Sequence, residues 1–202
     1  ASMNFPAVTL QLPEWIETFL DACRFKTVSQ DERMRLVIAM ARKNIELTSG
    51  GPFAAAVFEM HSGRLIAPGV NIVVKSSCSI AHAEMVALSV AQKVIGTFDL
   101  GAKGLPGYEL VTSTAPCAMC LGAIPWSGIR RVICGARDED ARRIGFDEGS
   151  KVKNWVEALT SRNIEVIEDV CRSEAVAVLN SYKETGGPIY NSRDGIIEPT
   201  AP

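Results

Sequence analysis

Glu109-Leu110-Val111-Thr112-Ser113-Thr114-Ala115-Pro116-Cys117-Ala118-Met119-Cys120-Leu121-Gly122-Ala123 is where the chain changes period. Glu109 to Thr112 reads as a strand, and a buried helix should begin near Cys117, just after a proline whose fixed φ suits a first helical turn. Downstream, Arg131 to Cys134 is another strand. Val152, Trp155, Val156 and Leu159 mark a helix, Ile164 to Ile167 a fifth strand, and Ala175, Val178, Leu179 and Tyr182 a last helix. The long helical crossover between Cys134 and Ile164 favours a parallel final pair of strands. Upstream, Ala81 to Ile95 is apolar nearly all round, as in a helix buried between a sheet and other helices. Phe53 to Phe58 and Leu65 to Val74 are apolar runs joined through His61-Ser62-Gly63, the composition of a hairpin. Ser29 and Glu32 form a capping box ahead of Met34, Val37, Ile38, Ala41 and Ile45, which predicts an amphipathic helix to about Leu47, ended by Gly50-Gly51. The alternation predicts a three-layer α/β/α domain with a five-stranded mixed sheet and helices on both faces.

Two hundred and two residues, 47% hydrophobic and 22% charged, suit one well-buried domain. Twenty-one basic residues against 23 acidic ones leave a net charge of −2, so the basic footprint of a nucleic-acid binder is missing and a small substrate is expected. No stretch reaches the ~18 apolar residues of a membrane span. Ala1 to Leu12 has no basic segment leading into an apolar core, so neither membrane nor secretion is expected. Six irregularly placed cysteines do not make a disulfide framework, which agrees with a reducing, cytoplasmic setting.

The chemistry lies in His82-Ala83-Glu84 and Pro116-Cys117-Ala118-Met119-Cys120. Cys117 and Cys120 share one face of a helix start, where the dipole favours thiolates. With His82 they supply three zinc ligands. The only other histidine is His61, in a predicted turn, and Cys23, Cys78, Cys134 and Cys171 stand singly, so the fourth position is left to water, as in catalytic rather than structural zinc sites. Glu84 lies near enough in sequence to His82 to reach that water and to carry protons to a departing amine. Taken alone, a Cys-x-x-Cys pair also fits a redox dithiol and a His-x-Glu occurs by chance; the combination points to hydrolytic zinc chemistry.

These motifs resemble the zinc-dependent cytidine deaminase-like superfamily, whose nucleobase deaminases share them. Gly50-Gly51-Pro52-Phe53-Ala54-Ala55-Ala56-Val57, Asn71, Ala81-His82-Ala83-Glu84, Cys117 to Ala123 and Ile144-Gly145-Phe146-Asp147-Glu148-Gly149 look like its bacterial guanine deaminase branch. Trp126-Ser127-Gly128 and Ile189-Tyr190-Asn191 resemble the subgroup that also acts on ammeline. The likeness spans about Asn44 to Tyr190 and implies one zinc per subunit and hydrolysis of guanine to xanthine and ammonia in purine catabolism. It also implies a homodimer, with C-terminal segments that in some relatives reach the partner's site. By the same resemblance Glu148 joins Glu84 as a catalytic carboxylate, Asn71 hydrogen-bonds the base, Phe53 lines the pocket and Tyr190 lies in a tail that closes over the site. Ala83 is expected at the base as well, and Phe146 and Trp126 are aromatic residues able to wall a flat ring or to serve as ordinary core. Residues 1–28 are then an extension packed on the domain, 29–185 the deaminase domain, and 186–202 a tail acting as a lid. One departure stands out: relatives commonly carry an acidic residue before the Pro-Cys pair, where this chain has Ala115. The rival classes are a cytosine or nucleoside deaminase, a tRNA adenosine deaminase, which the charge disfavours, and a non-catalytic zinc scaffold, which Glu84 disfavours.

Overall fold

Ala54 to Glu59 (β1) and Leu65 to Val70 (β2) form an antiparallel hairpin, and on its other edge β1 pairs antiparallel with Tyr108–Thr114 (β3). Next come Arg131–Ala136 (β4) and Glu165–Ile167 (β5), both parallel to their neighbours, giving the order β2-β1-β3-β4-β5. The sheet is therefore mixed, with the parallel final pair that the crossover length favoured. The computed structural model describes residues 4–23 and 29–192.

β1 shows how the layers form. Three successive alanines would suit a helix, but Ala54, Ala56 and Phe58 turn to one face of the sheet while Ala55 and Val57 turn to the other. The first face is covered by Gln30–Glu46 (α2) and Arg172–Glu184 (α8), through Met34, Val37, Ala41, Ala175, Val178 and Leu179. The second face is covered by Ala83–Ile95 (α4), Ala118–Ser127 (α5) and Trp155–Thr160 (α7), through Ala87, Ala91, Leu121, Ile124 and Leu159. Small residues let these layers approach closely: a Cβ on Gly69 of β2 would overlap the Ala83 carbonyl and the Ala87 amide of α4. The predicted capping box is present, with Glu32 N donating to Ser29 Oγ at 3.2 Å and Ser29 N donating to Glu32 Oε2 at 2.9 Å.

Three elements differ from expectation. The strand predicted to reach Val74 stops at Val70, and Val73–Ser76 is a short helix (α3). Asn71 is the cause: its Oδ1 accepts from Val73 N at 3.3 Å and turns the β-branched run out of the sheet. Asp138–Ile144 (α6) was not anticipated, because its first turn is wholly acidic and only Asp140, Ala141 and Ile144 are buried. Val152, expected to mark a helix, is exposed and precedes α7.

Trp15–Cys23 (α1) packs on the domain: Ile16 joins the core, Trp15 Nε1 donates to Ser49 Oγ at 3.0 Å, and Trp15 meets Phe19 edge-on. Of the expected N-terminal extension, residues 1–3 and 24–28 lie outside the described residues, as do 193–202 of the tail. Of the four single cysteines, Cys134 is buried and Cys78 and Cys171 are half-buried. The side chain of Cys23 lies outside the described residues. On the central strand, fully buried Glu109 is paired by Arg33 of α2 and by Arg131 of β4 at 3.2 Å, so its charge is not left alone in the core. Among the described residues, no helix is long and apolar enough to cross a membrane.

Candidate active site

Two helices begin at the same place. His82 is the N-cap residue of α4 and Cys117 that of α5, so both positive helix ends face one point beyond the C-terminal end of β3, and Glu84 sits in the first turn of α4. His82 Nδ1 lies 3.5 Å from Cys117 Sγ and 3.6 Å from Cys120 Sγ, and the three donor atoms fall within 4.8 Å of one another. Tetrahedral coordination at ~2.3 Å to sulfur and ~2.0–2.1 Å to nitrogen separates such ligands by about 3.6 Å, so the residues present fit zinc. The electrostatics agree for Cys117. A hydrogen bond from Cys120, helped by His82, brings its thiol down to about 4. Cys120 is pushed the other way by that same bond to the Cys117 thiolate and by burial. A metal cation in the site would replace the shared proton and accept both sulfurs as thiolates.

Glu84 is buried beside this group. Its Oε2 accepts from Cys120 Sγ at 3.4 Å and its Oε1 lies 3.4 Å from Thr112 Oγ1. Burial, then the Cys117 charge, raises its carboxyl above the ordinary range. Glu148 is also buried and arrives on the turn after α6: its carbonyl accepts from Ala118 N at 3.0 Å, which ties this turn to the first residue of α5. Burial, then Cys117 and Glu84, pushes its carboxyl up to about 8.

Between them lies a cavity of about 420 Å³, a size suited to a small planar ligand. His82, Glu84, Cys117 and Glu148 line it, as do Phe53, Asn71, Phe146 and Tyr190. Phe146 meets Phe53 edge-on at 4.9 Å and Tyr190 edge-on at 5.0 Å, so the aromatic walls support one another. Ala115 also lines the cavity and is buried there.

Two residues expected at the base do not line the cavity. Trp126 is 85% exposed, because it lies six residues past Cys120, about 240° round a helix that buries Cys120, Leu121 and Ile124. Ala83 is fully buried against β2 behind the cavity wall. Conversely, Asn44 went unnoticed in the sequence although it braces the site: its Nδ2 donates to Gly51 O at 2.9 Å and to Asn71 O at 3.0 Å. The sign available was a carboxamide on the apolar face of α2. Lys151 was also missed. Its buried ammonium, 3.6 Å from Asp138 Oδ1 and 4.2 Å above the Trp155 ring, pins the chain just past Glu148.

Residues 28–136 match the family of the cytidine and deoxycytidylate deaminase zinc-binding region. The chain is similar to the solved structure of guanine deaminase from Nitrosomonas europaea, with 46% identity and a TM-score of 0.82 over 91% of this chain and 100% of that one. A chain solved in complex with 2,6-diaminopurine is also 46% identical, with a TM-score of 0.84 over 93% of this chain and 98% of that chain. Guanine deaminase of Bacillus subtilis is 36% identical over 115 residues, 57% of this chain and 69% of its own length.

Proposed function

Since the chain belongs to the family of the cytidine and deoxycytidylate deaminase zinc-binding region, we propose that it hydrolyses free guanine to xanthine and ammonia. What carries this reading is the meeting of a Cys-Cys-His donor set with two buried carboxylates, Glu84 and Glu148, in one cavity. Bound by His82, Cys117 and Cys120, zinc supplies the Lewis acidity that makes water reactive near neutral pH.

The proton balance explains why two carboxylates are useful. Guanine gains a C2–O bond and loses its C2–N bond to the exocyclic amine; of the two protons of water, one ends on ring nitrogen N3 and the other on the departing amine. Glu84, beside the donor set, takes one proton from the attacking water and returns it to N3. Glu148, on the loop across the cavity, gives its own carboxyl proton to the amine and takes back the remaining proton of water from the C2 hydroxyl as the C2–N bond breaks and the carbonyl forms. Both are buried, so neither carboxyl is tied up by solvent. Asn71, held by Val73 N, presents its amide to the edge of the base, while Phe53 and Phe146 bound the ring and Tyr190 closes the cavity.

The test is ammonia release by zinc-loaded protein from guanine, guanosine, ammeline, cytosine, adenine and adenosine, with Glu84→Gln as control. Turnover of guanine, with ammeline as a slower substrate, and loss of about 10²- to 10⁴-fold in the control are expected. Turnover confined to cytosine or to nucleosides would keep the zinc chemistry and remove the guanine assignment. The assembly we propose is a homodimer, in which a second copy covers Trp126 and Phe98, 85% and 82% exposed on segments joined by the Leu100 N to Ser127 O hydrogen bond of 2.8 Å. Sedimentation of the intact chain should give twice its mass, and Trp126→Glu should shift it to the monomer.

A further inference from the structure

We infer that Asn191 is a positioning residue for the reaction, holding the Gly145–Gly149 loop in the shape that presents Glu148 to the cavity; this rests on the guanine reading above. The loop has little regular structure to hold it. It follows the end of α6, enters at Gly145 with φ +115° and leaves at Gly149 with φ +69°, both in the left-handed region that glycine tolerates. Between these points one carboxamide bridges the loop: Asn191 Oδ1 accepts from Asp147 N at 2.9 Å and Asn191 Nδ2 donates to Gly145 O at 2.9 Å. One side chain thus serves a backbone donor and a backbone acceptor two residues apart, as a paired strand would. Glu148 is the next residue along. Beyond it, the loop is held by Ala118 N to Glu148 O and by Arg142 Nη2 to Gly149 O, each at 3.0 Å.

Asn191 is itself fixed from behind. Tyr182 Oη donates to Pro188 O at 2.7 Å, and Tyr190 packs on Phe146 inside the same loop. Removing the carboxamide leaves Asp147 N and Gly145 O without these partners while the tail stays anchored by Tyr182 and Tyr190, so the loop and the Glu148 carboxylate should drift. Sub-ångström drift of a proton carrier lowers the rate of the chemical step more than it weakens binding.

The test is a double-mutant cycle between Asn191→Ala and Glu148→Gln, reading kcat and KM for guanine and zinc content, together with hydrogen–deuterium exchange of the peptide spanning residues 145–149. Asn191→Ala is expected to lower kcat about 10- to 100-fold with KM within about threefold and zinc content unchanged. On the Glu148→Gln background the same substitution should change kcat less than about threefold, because its target is already gone. Amide exchange of the loop should rise about tenfold or more. Effects that multiply in the double variant, a change confined to KM, or unaltered exchange would overturn the assignment. If the parent protein does not turn over guanine yet the loop exchanges faster in Asn191→Ala, the guanine reading falls and the clamp stands, so the two failures are separable.

Discussion

Asn44 carries two jobs with one side chain. Its buried Nδ2 holds the carbonyls of Gly51 and Asn71, drawing together the turn after α2 and a residue that lines the cavity. Asn44→Ala should cost about 2 kcal/mol in urea unfolding, two buried acceptors having lost their donor. It should also raise KM for guanine by on the order of tenfold as Asn71 shifts; unchanged KM would detach Asn44 from the site. At this scale the sequence was most legible for groups whose spacing is itself chemistry. Cys117 and Cys120 are three apart at a helix start, which puts them on one face, and His82, in extended backbone as the N-cap of α4, is only two residues from Glu84 in the first turn. Asn44 acts on residues 7 and 27 positions away, Lys151 on one 13 away and Asn191 on residues 44 and 46 away, and no local periodicity records such partnerships.

Elements respond according to whether they face the site. The Ser29–Glu32 capping box starts α2 at the end away from Asn44, and neither of its residues lines the cavity. Ser29→Ala should lower the thermal midpoint by about 2–4 °C, for a loss of about 1 kcal/mol, and leave kcat unaltered. The tail offers the opposite case. A Cβ on Gly51 would overlap Tyr190 Oη, so Gly51→Ala should push the aromatic ring out of the cavity. The expected outcome is a KM raised by about tenfold with only a small change in thermal midpoint, measured by steady-state kinetics and calorimetry. Equal loss of stability and activity would mean that Gly51 shapes the turn and not the tail. Helix boundaries were readable where burial follows a period between clear caps, as in α2. They were misread where side chains compete with the backbone: Asn71 converts a β-branched run into α3, and Asp140 builds α6 out of charges.

Across the whole molecule, Asp140 joins elements that sequence separates. Its buried carboxylate accepts from Arg172 of α8 at 2.9 and 3.0 Å, from Arg143 at 3.1 Å and from Arg137 N at 2.9 Å. The Arg172 hydrogen bonds hold its carboxyl below the ordinary range. A depressed folded value stabilises the fold above the unfolded carboxyl value of ~3.9, and this stabilisation fades as pH falls through the folded value. Asp140→Asn should therefore cost about 2 kcal/mol at pH 7, with the gap from the parent closing below about pH 4 in denaturation curves taken across that range. A gap independent of pH would assign the loss to packing.

The sequence by itself determined the alternation of strands and helices, the three-layer class and the two motifs that supply the donor set, because each element and each motif depends on residues within a few turns of one another. Tertiary structure alone decided which remote groups meet: it brought Glu148 to the start of α5 through a single backbone hydrogen bond, turned Trp126 outward and left Ala83 behind the wall. The reason is physical. Local periodicity specifies which face of an element is buried, whereas the approach of two elements is set by the volume and hydrogen bonding of every side chain between them.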